Sequence, residues 1–133
     1  MKTNNISKPQ LWTGRIMSGL VIFFMIVDSI FKFFQTEEAI QGTVQLGWSA
    51  HHLVPLGVLA LVSTILYAIP VTSVFGAVLL TGYFGGAIAT HFRIDNPLFS
   101  HTLFPVYLAI LMWGGLWLKN DGFKRMFPIS VSQ

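Results

Sequence analysis

The sequence predicts an all-α protein, a four-transmembrane-helix bundle with a short interfacial helix between the first and second spans. Three observations carry this. Only 10% of the 133 residues are charged and 53% are hydrophobic, whereas a soluble domain carries about 25% charged residues. Four apolar runs of 17–23 residues succeed one another, Trp12–Phe34, Leu53–Ile69, Val74–Thr90 and Leu98–Leu118. Helices of about 20 residues, rising 1.5 Å each, cross a hydrocarbon core of roughly 30 Å. Finally, the eight basic residues stand at or near the ends of those runs. The pI of 9.5 therefore reads as membrane topology and not as a nucleic-acid stripe.

Each element has its own justification. Residues 1–11 form a polar tail with Lys2 and Lys8, and Pro9 is expected to hold helix formation back to Trp12. Arg15 precedes Ile16–Val27, a basic-then-apolar order that raises the question of a cleaved signal. No small-x-small site follows, so Trp12–Phe34 reads as an uncleaved first span. In the longest connector, Gln35–Ala50, Thr36 is placed to cap a short helix, with Glu37 and Glu38 favourable in its first turn. Ile40 and Val44 share a face there, Gly47 suits a helix stop, and Trp48 suits the membrane interface. Pro55 falls in the first turn of the second span, where a missing N–H costs nothing, and Pro70 ends it. Val71–Ser73 is a very short turn into the third span. Residues 12–118 thus make the membrane domain, and 119–133 a polar tail with Lys119, Lys124 and Arg125.

Four spans place both termini on one side. The flanks on that side hold Lys2, Lys8, Arg15, Lys119, Lys124 and Arg125. The opposite side holds Lys32 and Arg93, offset by Asp28, Glu37, Glu38 and Asp95. This asymmetry predicts cytoplasmic termini in a bacterial plasma membrane.

Small residues recur at helical spacing in Gly82-x-x-x-Gly86-x-x-x-Thr90 and in Gly14-x-x-x-Ser18. Such ridges let helix backbones approach closely in lipid, and packing within the bundle is the expectation here, ahead of a homodimer seam. The pattern H-x-L-x-P occurs twice, at His51–Pro55 and His101–Pro105, each time where a helix begins at the outer side. Two hairpins related by a parallel repeat would give this.

Several chemistries are disfavoured. The chain has no cysteine, so it has no thiol relay, disulfide or Cys-ligated metal. No CxxCH or HExxH spacing exists, and Gly82-x-x-Gly85-Gly86 lies inside an apolar helix, not after a strand.

Together, several stretches give a specific resemblance that runs from about Gly14 to Pro128. They are Gly14-Arg15 with Ser18-Gly19, then Asp28 and Lys32; Gly42–Gly47; Leu66–Pro70; Gly76–Ala87; Ala89–Arg93; and Pro97–His101 leading to Phe104–Tyr107. The chain resembles the DoxX-like family of small bacterial four-helix membrane proteins, with Val71 a departure where relatives often carry Arg. The resemblance implies a membrane component. It also implies a link, in some members, to quinone-dependent oxidation, because the name-giving members resemble subunits of a thiosulfate:quinone oxidoreductase.

The candidate binding residues are Asp28, Lys32, His91, Arg93 and His101. Asp28 lies within an apolar run, where a carboxylate costs about 2.5–3.5 kcal/mol at the helix centre and less toward the interface. Lys32 is one turn away and can pair with it. His91 and Arg93 end the third span and His101 opens the fourth, so the short Ile94–Pro97 turn brings all three together. Histidine exchanges protons near neutral pH, and arginine holds a carboxylate, phosphate or quinone carbonyl. Phe84, Phe92, Phe99, Phe104 and Tyr107 are candidates for an apolar wall, and His51 and His52 are expected at a similar depth. The bland alternative is a local ion pair with interfacial histidines capping helices and an arginine meeting lipid phosphate. Two functions follow. One is a membrane subunit that binds a quinone, works with an electron-donor protein and contacts membrane lipid. The other is a non-catalytic scaffold that binds lipid or a small molecule.

Overall fold

The structure, a computed structural model, describes residues 7–128. Its first helix, α1, runs Lys8–Phe34 and starts four residues before Trp12. Pro9 does not delay it. Ser7 caps the helix by accepting from the Gln10 N–H at 3.3 Å, and Pro9 occupies the first turn, where its absent N–H is not needed. Gln35, in the left-handed region at φ 52°, ends α1. Thr36 then caps α2 (Glu37–Gln45) by accepting from the Ala39 N–H at 3.2 Å. Gly47, at φ +94°, lies just beyond its end. A single 3-10 turn, Ala50–His52, leads into α3 (Leu53–Ala68).

Pro70–Thr72 makes one further 3-10 turn into α4 (Ser73–Arg93). Here hydroxyls take up carbonyls left free at the end of α3: Thr72 Oγ1 donates to Leu66 O at 2.7 Å and Ser73 Oγ to Tyr67 O at 2.8 Å. After α4, Leu98–Thr102 forms a wide π-type turn before α5 (Phe104–Lys119). The C-terminal stretch, read as a polar tail, instead folds into α6 (Asp121–Met126). Asn120 caps it, and the Phe123 ring stacks on Trp113 at 5.3 Å. Lys2 of the N-terminal tail and residues 129–133 of the C-terminal tail lie outside the described residues.

The four apolar helices close a ring in chain order. α1 packs between α5 and α3, and α4 completes the ring between α3 and α5. Val21, Met25, Ala60, Tyr67, Ala77, Leu80 and Met112 fill its axis, all at 1% exposure or less. Outward-facing apolar side chains such as Ile16, Phe23, Phe75 and Ile110 are more than half exposed, as expected where lipid is the solvent. All four helices are long and apolar enough to cross a membrane.

Glycines decide where the ring is tight. A Cβ on Gly115 would meet Ser18 Oγ at 2.6 Å and the Gly14 carbonyl at 3.0 Å, which locks α5 to α1. A Cβ on Gly76 would run into the Tyr67 backbone, and one on Gly57 would meet Lys32 Cβ at 3.1 Å. The Gly14–Ser18 pair thus packs as expected. The Gly82–Gly86 ridge does not, because nothing lies within 4 Å of a Cβ built on Gly82, Gly85 or Gly86. The helices have separated at that level, leaving the ridge open.

Candidate functional site

Met25, Asp28 and Lys32 fall on one stripe of α1 by their spacing. They border a cavity of about 850 Å³ between the spans, with α2 against its outer part. The inner wall is apolar, from Leu56, Leu59, Leu79, Phe84 and Leu108. The outer half is polar, from Asp28, Lys32, Thr43, His91, Asn96 and His101. Four of the five candidate residues therefore meet around one space.

Lys32 Nζ donates to Asp28 Oδ2 one turn earlier. The lysine side chain is 16% exposed and the carboxylate 34%, so the carboxylate is the more open end of the pair. Pairing offsets much of the cost of holding either charge in an apolar helix.

The turn after α4 sets the histidines. Asp95 takes a positive φ of 57°, which reverses the chain, and the Asn96 N–H returns to the His91 carbonyl at 3.1 Å. The Asn96 amide donates to His91 Nδ1 at 2.7 Å. An amide N–H can only donate, so the imidazole proton resides on Nε2. The wide turn closes through Thr102 N–H to Pro97 O (3.1 Å) and Leu103 N–H to Leu98 O (2.8 Å). It carries His101 back against His91, with ring centroids 6.0 Å apart and planes at 67°. Wide turns of this kind recur at functional sites.

Arg93 does not line the cavity. Its Nη2 donates to the Leu46 carbonyl at 2.7 Å, a free acceptor at the C-terminal end of α2, where a cation is favoured. The guanidinium occupies the space a Cβ of Gly47 would need, so residue 47 favours glycine for its φ, and a side chain there would push the Arg93 guanidinium aside. Arg93 is a clasp between α4 and α2. His51 and His52 also stand outside the cavity lining. Their rings pack together at 4.3 Å, and His52 Nδ1 accepts from the Ser49 N–H at 3.3 Å. Phe84 and Phe104 belong to the wall as expected, whereas Phe92 and Phe99 are 69% and 73% exposed. Phe24 and Phe31 line it in their place.

Tyr83, Trp48, Thr43, Asn96 and Ser63 also line the cavity, and sequence reasoning did not single them out as site residues. The signal for Tyr83 was periodicity: Tyr83, Ala87, Thr90 and His91 repeat at helical spacing on one face of α4. Trp48 and Thr43 arrive because α2 folds back over the spans, and nothing local to α2 announces that docking.

The profile of the DoxX-like family matches residues 16–115, three quarters of the chain. The chain belongs to the DoxX-like family. No curated protein and no solved structure matches it. This DoxX-like chain is a multi-pass membrane protein by family and by its four apolar helices. All five candidate residues, from Asp28 to His101, lie inside the matched segment.

Proposed function

We propose that the protein binds a small amphipathic ligand of the quinone class in this cavity, as a membrane subunit of the bacterial plasma membrane with both termini in the cytoplasm. The observation that carries the reading is the cavity's division: an apolar inner wall and an outer half where Asp28, Lys32, His91 and His101 converge. A volume of about 850 Å³ falls in the range of small-molecule sites, which are mostly apolar with a few placed polar groups. A quinone presents the same division, a ring with two carbonyl acceptors and an isoprenoid tail.

The chain's own groups have distinct tasks in this reading. The Nε2–H of His91 donates to one carbonyl, with Asn96 fixing the ring. His101 stands beside it and holds or moves a proton at its imidazole. The Asp28–Lys32 pair supplies a second donor and a carboxylate that accepts a hydroxyl. Phe24, Phe104 and the leucines hold the apolar part and exclude water. A bound quinone supplies two-electron, two-proton chemistry. A partner protein supplies the electrons, because the cysteine-free chain has no thiol couple of its own.

Trp48 lines the cavity and reports on it, because quinones quench indole emission. Titration of the detergent-purified protein with a short-chain quinone should give saturable quenching that Trp48→Phe largely removes. Linear, unsaturable quenching would sink the reading. Saturable quenching by an apolar or lipid ligand, with none by quinone, would favour the scaffold or lipid-binding alternative.

A further inference from the structure

The opposite end of the bundle carries a second cavity, about 680 Å³, that is not connected with the chemistry above. Val74 and Val78 of α4, Trp113 and Trp117 of α5, and Phe123 with Phe127 from the C-terminal segment line it. The walls are apolar because the indole N–H groups are already paired: Trp113 Nε1 donates to Thr81 Oγ1 and Trp117 Nε1 to the Phe127 carbonyl, both at 2.8 Å. A basic group stands at its mouth. Lys124 Nζ lies 4.6 Å from the centre of the Trp117 ring, on a lining residue. Arg125, paired with Asp121, falls on the other face of α6 from Phe123 and Phe127. Lys119 and Arg15 belong to the same end of the bundle, and Asp121 is the one acidic group there among the described residues.

We infer that this groove is a binding site for one anionic phospholipid of the leaflet that the termini face. An acyl chain lies along Val74, Val78, Trp113 and Phe123, and the phosphate meets Lys124. Charge complementarity selects this occupant. An apolar slot with a cationic mouth at headgroup depth matches a lipid with an apolar tail and a negative head, and a zwitterionic lipid meets the mouth less favourably. Anionic headgroups attract Lys and Arg at about 1 kcal/mol per charge, or roughly fivefold in affinity. α6 is the device that builds the mouth, since Asn120 caps it and Phe123 anchors it while Lys124 points over Trp117.

The test uses the full chain, carrying Trp12→Phe and Trp48→Phe, in vesicles of phosphatidylcholine doped with dibrominated lipid, which quenches nearby indoles. Dibromo-phosphatidylglycerol at low mole fraction should quench Trp113 and Trp117 several-fold more strongly than dibromo-phosphatidylcholine at the same fraction. Lys124→Gln should reduce that preference about fivefold while leaving near-UV circular dichroism unchanged. Val78→Phe, which fills the groove from its exposed side without adding an indole, should remove it, as should high salt in part. Equal quenching by the two lipids would show a face that merely meets bulk bilayer and would overturn the site. So would a preference that Lys124→Gln leaves intact. A dimer in native mass spectrometry whose formation abolishes quenching by either lipid would give the groove to a second copy instead.

Discussion

The two ends of the bundle use the same residue type for opposite purposes. At the end that carries the termini, Gly14, Gly76 and Gly115 let backbones touch, and Tyr67 ties three helices together through Ser18 Oγ and the Met112 carbonyl, each at 2.7 Å. At the other end Gly57 still seats α3 on Lys32 and Phe33 of α1, but on α4 Gly82, Gly85 and Gly86 face open space, beside a cavity lined by polar groups. A small-residue motif therefore does not by itself say that two helices meet. What decides is whether the facing helix brings a small residue or a backbone carbonyl to the same level, as Gly115 does for Gly14.

That contrast can be broken most sharply with alanine. Gly76→Ala should cost about 3 kcal/mol, the top of the range for overpacking, because its Cβ would enter the Tyr67 backbone. Gly86→Ala should be neutral or should stabilise by up to about 1 kcal/mol through helix propensity. Reversible unfolding in mixed micelles measures both, and equal effects would erase the distinction between the two ends. Tyr67→Phe, which removes the buried node without changing shape, should cost about 1 kcal/mol in the same assay, near the usual value for a hydrogen bond between membrane helices.

The outer end responds in binding more than in stability. Asp28→Asn should weaken quinone-class binding about tenfold, the effect of removing one charge-assisted hydrogen bond, and Asp28→Asn with Lys32→Met should weaken it further, because the second donor is lost as well. Arg93→Gln should act less and differently. Its loss frees the Leu46 carbonyl and releases α2, so hydrogen exchange in Glu37–Gln45 should speed up several-fold while α4 stays protected. Unchanged exchange in α2 would show that the clasp does not hold it.

The fold was legible because lipid imposes a one-dimensional code. Runs of the right length, prolines at Pro55 and Pro70, and the Thr36 cap with Glu37 and Glu38 all act within a turn or two of themselves. The clustering of His91 and His101 was legible for the same reason, being the product of one short turn. Arg93 was not, since its partner Leu46 is 47 residues away and only the fold of α2 brings them together. Tyr83 and Trp48 were hidden likewise. α6 was masked by composition: Lys124 and Arg125 give the segment a polar average, although Phe123 alone suffices to dock it on Trp113.

The central claim is that the cavity at the outer end takes the quinone-class ligand and the groove at the terminal end does not. Photo-crosslinking with a diazirine-bearing short-chain quinone, mapped by peptide mass spectrometry on the intact protein in micelles, tests it most directly. The account predicts labels concentrated on the peptides that hold Asp28–Lys32, Trp48 and His91–His101, displaced by excess unlabelled quinone. Labels spread along the lipid-facing helix surfaces, or concentrated near Trp113 and Trp117 at the other end, would contradict it.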